Sequence, residues 1–297
     1  MIVQKVFHQS ESTGIHGHMV KAQKEIKESL NLIDVIVEVL DARIPIASQN
    51  PIVNEIVGEK PRIVLLNKSD LADDIQTKKW IGFFESKNIC AIPVDTSKNS
   101  DIKKIVEKIK EQGEIARKSK GMKKREFEVK PIDRALIIGI PNVGKSTIIN
   151  KISSKNSLEV GNKPGVTKKK QWIRIENNID LLDTPGILWP NLSDNMSGVK
   201  LALTGNIKQE VIDAEELACS GIHILRKVEK YSKLFVNKYK LNELDINMTD
   251  YDVLEIIGRK RGCIVSGGEV DMEKAAKCFL EDFKNGKIGK MTLDVLA

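Results

Sequence analysis

The sequence predicts an α/β protein: a mostly parallel sheet covered by helices on both faces, followed by an all-helical C-terminal domain. Three observations carry that prediction. Apolar, β-branched runs of strand length alternate with helical stretches through the first two thirds of the chain, the order that parallel strands and their crossovers require. One such run, RALIIGI (134–140), leads directly into a glycine loop and then a helical pattern. From Met196 onward the spacing is helical to near the end, interrupted by GRKRGC and VSGGEVD over 258–271.

The elements follow in order. Residues 1–17 are polar and irregular, and His8, His16 and His18 lie in or beside them. A Lys-, Glu- and Ala-rich helix is expected from Met19 to Leu30. IDVIVEVLDAR (33–43) has the continuous apolar character of a buried parallel strand and ends at a turn by Pro45. A short helix over 50–57 precedes a second buried strand, RIVLLNKSD (62–70), which breaks into a polar loop. A helix over 71–87 and a short strand and loop, AIPVDTS (91–97), come next. Ile102, Ile105, Val106 and Ile109 mark a helix over 102–118. The basic stretch 117–133, with Gly121 and Pro131, reads as a connector, either irregular or partly helical. The strand 134–140 feeds a helix from Lys145, residues 155–170 form a polar loop, and QWIRIE (171–176) and NIDLLD (178–183) read as a hairpin.

Composition narrows the classes. With 297 residues the chain accommodates a mid-sized domain and a smaller one. The formal charge is +7 and unevenly spread. Arg117, Lys118, Lys120, Lys123, Lys124 and Arg125 form one cluster, and Lys163, Lys168, Lys169, Lys170 and Arg174 a second. Such clusters suit a polyanion such as RNA, and equally a solvated linker and loop. Cys90, Cys219, Cys263 and Cys278 form no C-x-x-C pair and no zinc pattern, so they read as thiols of a reducing compartment. No run approaches the ~20 apolar residues of a membrane span, and no leader is evident. A soluble, cytoplasmic chain with no membrane partner is expected, with a monomer as the simplest state.

The chemistry sits in short motifs. GIPNVGKS (139–146) fits G-x-x-x-x-G-K-[ST] between a strand and a helix. Gly139 and Gly144 let backbone N–H groups curl around phosphates, through Asn142, Val143 and Gly144. The helix from Lys145 presents its positive end to them. Lys145 is expected to reach the β- and γ-phosphates, Ser146 to ligate Mg²⁺, and Thr147 to line the same turn. NKSD (67–70) supplies Asn67, Lys68, Ser69 and Asp70 at a strand end, where open α/β sheets bind ligands. Asp70 can accept both donors of guanine, N1–H and the 2-amino group. Adenine offers neither, so the pair of motifs predicts GTP and GDP rather than ATP. Asn67 is expected to address the other edge of guanine and the Lys68 stem to lie along the ring. Asp95, Thr96 and Ser97 follow the next strand, where a backbone N–H can meet the guanine O6. DTPG (183–186) provides Asp183 for Mg²⁺ through water and the Gly186 N–H for the γ-phosphate. Thr167, in KPGVTKKK, is the candidate switch threonine, reaching Mg²⁺ only when the γ-phosphate is present.

These motifs run in rotated order: NKSD and DTS precede the P-loop, PGVT and DTPG, whereas Ras-like GTPases begin with the P-loop. A sheet can be cut and rejoined while each loop keeps its place, so the prediction becomes a circularly permuted P-loop GTPase over residues 1–195. That domain includes the N-terminal segment 1–30 and the connector 117–133. Residues 196–297 form the helical domain.

DARIP (41–45), NKSD, GIPNVGKST, PGVT and DTPGILWP in this order, with GHM (17–19), KRGC and SGG (260–268), resemble the ribosome biogenesis GTPase A family across nearly the whole chain. The resemblance implies a GTPase that binds a late precursor of the large ribosomal subunit and helps it mature. It also implies a helical C-terminal domain that contacts ribosomal RNA. Ile187 stands where Ras-like enzymes carry the water-orienting glutamine. The family suggests the GHM histidine, here His18, as the catalytic group, with His16 where the family's pattern has proline. In related GTPases an asparagine at the position of Asn142 helps coordinate K⁺, so K⁺ joins Mg²⁺ as an implied cation. Two other readings are disfavoured. A permuted GTPase of the small subunit is disfavoured by the missing zinc cluster and by too few N-terminal residues for an added OB-type domain. A nucleotide-dependent binding module at a membrane surface is disfavoured by the lack of an anchor motif.

Overall fold

The computed structural model describes residues 27–119, 131–153, 171–175, 178–184, 195–207, 212–242 and 248–296. The first expected helix enters this range only at Lys27 and tightens into a 3₁₀ turn at Leu30–Leu32. Among the described residues six strands form one sheet: β1 (Val35–Asp41), β2 (Arg62–Asn67), β3 (Cys90–Val94), β4 (Asp133–Ile138), β5 (Gln171–Ile175) and β6 (Ile179–Asp183). Their spatial order is β3-β2-β1-β4-β6-β5. All neighbours are parallel except β5, which pairs antiparallel with β6 in the expected hairpin.

The central strands are apolar without alternation because both faces are covered. β1 and β2 are buried along their whole length. On one face Val35, Val37 and Val39 meet Ile105 and Ile109 of α3 (Asn99–Ser119) and Ile148, Ile149 and Ile152 of α4 (Lys145–Ser153). On the other, Ile36 packs with Val53 and Val57 of α1 (Pro51–Val57). Leu40 packs with Trp80 and Phe84 of α2 (Asp74–Glu85). Asp73 caps α2 by accepting from the N–H groups of Ile75 and Gln76, satisfying donors that a helix start leaves open.

Beyond the sheet lie α5 (Asn195–Leu203), α6 (Ala214–Lys227), α7 (Glu229–Tyr239), α8 (Asp250–Lys260) and α9 (Met272–Lys284). Phe235, Tyr239, Phe279 and Phe283 stack around their centre. Their apolar side chains run into the same core as the α3 and α4 face of the sheet. The expected break after α8 is present: Ile264 and Val270 form an antiparallel bridge.

The helical pattern does not continue to the end, however. Gly286 and Gly289 adopt positive φ, and residues 285–296 become a strap across the sheet domain. Met291 donates its N–H to Leu71 O (3.1 Å) and Leu293 to Arg43 O (2.7 Å). The Trp80 indole donates to Asp294 O (2.7 Å). The Asp294 carboxylate accepts the N–H groups of Ile46 and Ala47 (2.8 and 2.9 Å) and the Lys200 ammonium (2.7 Å). Among the described residues no helix is long and apolar enough to cross a membrane.

One buried charge pair lies away from the loops. Glu38, on the even face of β1, is paired with Arg62, which also donates to Asn54 Oδ1 (2.6 Å). Burial pushes the Glu38 carboxyl above its usual range, against the pull of Arg62. Removing only the cation leaves an uncompensated buried carboxylate, so Arg62→Met is expected to cost roughly 3–5 kcal/mol. The raised carboxyl makes that cost smaller at pH 5, where Glu38 binds a proton more readily, than at pH 8. Glu38→Leu combined with Arg62→Met is expected to recover most of the loss. Urea unfolding at the two pH values checks both expectations.

Candidate functional site

The C-terminal ends of the parallel strands deliver the motif loops to one edge of the sheet, where open α/β folds bind ligands. Asp41, Asn67 and Val94 are aligned across β1, β2 and β3, and Ile137 and Asp183 across β4 and β6. From β4 the chain turns through Gly139–Gly144 into α4. Asn142 sits exposed in the left-handed region at φ 56°, and Val143 is buried. Such a conformation is uncommon outside glycine and tolerated best by Asn and Asp. Ser146, half-buried, and Thr147, exposed, occupy the first turn of α4.

The two central motifs meet directly. The Asn67 side-chain amide donates to Val143 O at 2.8 Å. Gly144 makes that approach possible: its φ is +107°, and a Cβ there would lie 2.1 Å from Asn67 Nδ2. Lys145 is buried, and its ammonium donates to Gly139 O (2.9 Å) and Ile140 O (3.1 Å), closing the loop on itself. Burial pulls the Lys145 pKa down to about 8, and the negative charge of nearby Asp183 works in the opposite direction. Asp183 is buried at the end of β6, and the next residue, Thr184, donates its hydroxyl to Ile137 O (3.0 Å) on β4.

The NKSD loop is equally constrained. Lys68 has φ 58°, and its ammonium pairs with Asp41 Oδ2 at 3.0 Å. The Ser69 N–H donates to Val94 O (3.1 Å) and the Leu71 N–H to Lys68 O (3.0 Å), which leaves Asp70 exposed at the rim. In the DTS loop the Asp95 carboxylate turns inward. Its Oδ1 accepts from the Ser97 N–H (2.9 Å) and hydroxyl (2.7 Å), so its side chain shapes the loop. Thr96 is half-buried at the centre of that turn and Ser97 is exposed.

The structure thus gathers Asn67, Lys68, Ser69, Asp70, Asp95, Thr96, Ser97, Asn142, Val143, Gly144, Lys145, Ser146, Thr147 and Asp183 at one edge. His18, Thr167 and Gly186, with Ile187 beside it, lie outside the described residues. Residues with no role assigned from the sequence also enter the site. Asp41 and Arg43 stand at the end of β1, and Asn206 follows α5. The DARIP string contains the first two, but Asn206, which donates to Asp41, is 165 positions from it, and no local spacing signals it.

A P-loop joined to an NKSD loop on a doubly covered parallel sheet, with the motifs in rotated order, defines a circularly permuted GTPase that binds GTP and GDP. Comparisons with known proteins agree. The family described as "50S ribosome-binding GTPase" matches residues 134–256. The chain is 41% identical over 286 residues to the ribosome biogenesis GTPase A of Bacillus cereus, covering 94% of this chain and 92% of that protein. The GDP-bound structure of YlqF from Thermotoga maritima superposes with a TM-score of 0.64 at 29% identity, covering 91% of this chain and 98% of that one. The GNP-bound form gives 0.63 at 30% identity, covering 93% and 100%. The chain belongs to the ribosome biogenesis GTPase A family and is a GTP hydrolase.

The Lys145 environment generates a pH prediction. Nucleotide phosphates bound beside the ammonium would favour its charged form and raise its pKa again. Binding then takes up a proton when the free protein has lost it, so affinity falls as pH rises through about 8. GDP affinity measured by calorimetry is expected to drop about fourfold between pH 7.0 and 8.5. The binding enthalpy at pH 8.5 is expected to vary with the buffer's ionisation enthalpy.

Proposed function

We propose that this GTPase acts in late maturation of the large ribosomal subunit, binding its precursor in the GTP state and leaving after hydrolysis. The observation that carries this reading is the match of residues 134–256 to a family described as binding the 50S ribosome. It is supported by full-length relatives named for ribosome biogenesis. GTP would order the segment around Thr167 and hold the Gly186 N–H against the γ-phosphate, and hydrolysis would release both. His18 is the proposed catalytic group, positioning water in place of the glutamine that Ile187 replaces. Asp70 and Asn67 select guanine, and Asn142 is proposed to help hold K⁺ near the phosphates.

The donor set suits Mg²⁺. Ser146 offers a hydroxyl on the first turn of α4, and Asp183 a buried carboxylate close enough to influence Lys145. Hard oxygen donors of this kind, one carboxylate with phosphates and water, match that ion. Ser146 and Asp183, with Thr167 in the GTP state, would hold it, and the ion would supply charge neutralisation on the phosphates.

The division into a nucleotide-binding domain over 1–195 and a helical domain over 196–297 belongs to the same proposal, with the helical part and the basic clusters facing ribosomal RNA. Much of that affinity would be sequence-independent phosphate contact, weakening steeply with salt. A cytoplasmic monomer fits this role. The test is GTP hydrolysis in KCl and Mg²⁺ by the protein alone, with large subunits and with small subunits. Stimulation by large subunits alone is expected. No stimulation, or stimulation by small subunits only, would overturn the assignment.

A further inference from the structure

Beneath the guanine loop lies a buried polar cluster that the nucleotide chemistry does not itself require. Asp41 and Asn206 are fully buried, and Arg43 and Thr204 nearly so. Asp41 Oδ2 is shared by three donors: the Lys68 ammonium at 3.0 Å, Arg43 Nη2 at 2.8 Å and Asn206 Nδ2 at 3.0 Å. Its Oδ1 accepts from the Arg43 N–H and Nε, each at 3.0 Å. The same guanidinium donates to Thr204 O (3.0 Å) and to Lys284 O (2.9 Å), at the ends of α5 and α9. Asn206 Nδ2 also donates to the Thr204 hydroxyl at 2.8 Å. Gly205, at φ +74°, lets this turn close: a Cβ there would sit 2.7 Å from Lys284 Cε. One carboxylate on a rigid central strand therefore holds a lysine of the NKSD loop on one side and the helical region on the other.

We propose that Asn206 and Arg43 are positioning residues for Lys68, acting through Asp41, so that the seating of the helical region on the sheet sets the affinity of the guanine site. The physical basis is preorganisation. Lys68 holds a backbone conformation that non-glycine residues adopt at a cost, and its long side chain carries many rotamers. Asp41 fixes the ammonium, which confines the stem that flanks the base before nucleotide arrives and removes an ordering cost from binding. Arg43 and Asn206 fix Asp41 in turn. Because the base contact is common to both nucleotides, GDP and GTP affinity respond alike. By linkage, bound nucleotide tightens the seating of the helical region by the same factor.

The inference rests on the guanine-site reading but not on any ribosomal partner. It is tested by a double-mutant cycle on fluorescent GDP binding with Asn206→Ala, Lys68→Met and the two combined. Asn206→Ala alone is expected to weaken GDP about tenfold, the scale of one lost hydrogen bond to a charged group. In the Lys68→Met background it is expected to have no further effect, because the group it positions is gone. Equal weakening in both backgrounds would overturn the proposal, since that is the signature of a general structural role. So would unchanged affinity of the folded Asn206→Ala protein. If thermal melting shows that this variant does not fold, Thr204→Val takes its place, removing only the hydroxyl that accepts from Asn206, and the same non-additivity is expected. Failure of the unsubstituted chain to bind GDP would instead overturn the site reading, and the proposal with it.

Discussion

The hydrogen bond from the Asn67 amide to Val143 O is the contact on which the site depends. It joins the NKSD loop to the P-loop, although the two residues are 76 positions apart and their loops leave strands separated by β1. It forms only because β2, β1 and β4 are parallel and deliver their C-terminal ends to the same edge. Gly144 is fixed by the same contact, since any side chain there would occupy the space of the amide. Rotated motif order leaves this geometry untouched. A loop's position is set by its strand's place in the sheet, and that place does not depend on where the chain begins.

Charge is buried where the loops need it. Two groups lie at the sheet edge: Lys145 with nearby Asp183 by the P-loop, and Asp41 with Lys68 and Arg43 at the end of β1. Burial there would penalise ionisation of Asp41, but Arg43 and Lys68 beside it, with hydrogen bonds from Arg43 and Asn206, hold its carboxyl well below the usual range. Lys68 feels the same burial from the other side, which lowers its pKa against the attraction of Asp41. Such networks are costly if half satisfied. Completing this one requires the helical region, because Thr204, Asn206 and Lys284 supply three of its contacts. The C-terminal strap also ties down this side of the sheet: Asp294 accepts from Ile46 and from Trp80, and Thr292 accepts from Asp73.

The sheet was legible because its strands are short apolar runs bounded by turn residues, a local signal. The P-loop and NKSD were legible because their spacing is local too, and both fall at the strand ends where they were expected. Boundaries moved by a few residues: α3 begins at Asn99 rather than Ile102, since Lys98 and Asp101 close a turn ahead of the apolar periodicity. What could not be read was long-range and polar. Nothing near Asp41 indicates Asn206, and nothing in the helical-looking C-terminus indicates a strap except two glycines whose positive φ ends the helix. The inward turn of Asp95 was hidden because an Asx turn and a ligand-facing aspartate look alike in sequence.

A permuted chain still assembles a nucleotide site at this edge, and Asp70 is the proposed carboxylate that selects guanine there. The most direct measurement is the affinity of the protein and of Asp70→Asn for GDP and for xanthosine diphosphate. Xanthine replaces the 2-amino donor of guanine with a carbonyl acceptor. The substitution is expected to weaken GDP roughly a hundredfold or more while strengthening the xanthine nucleotide. Unchanged GDP binding, or equal loss of both nucleotides, would contradict it.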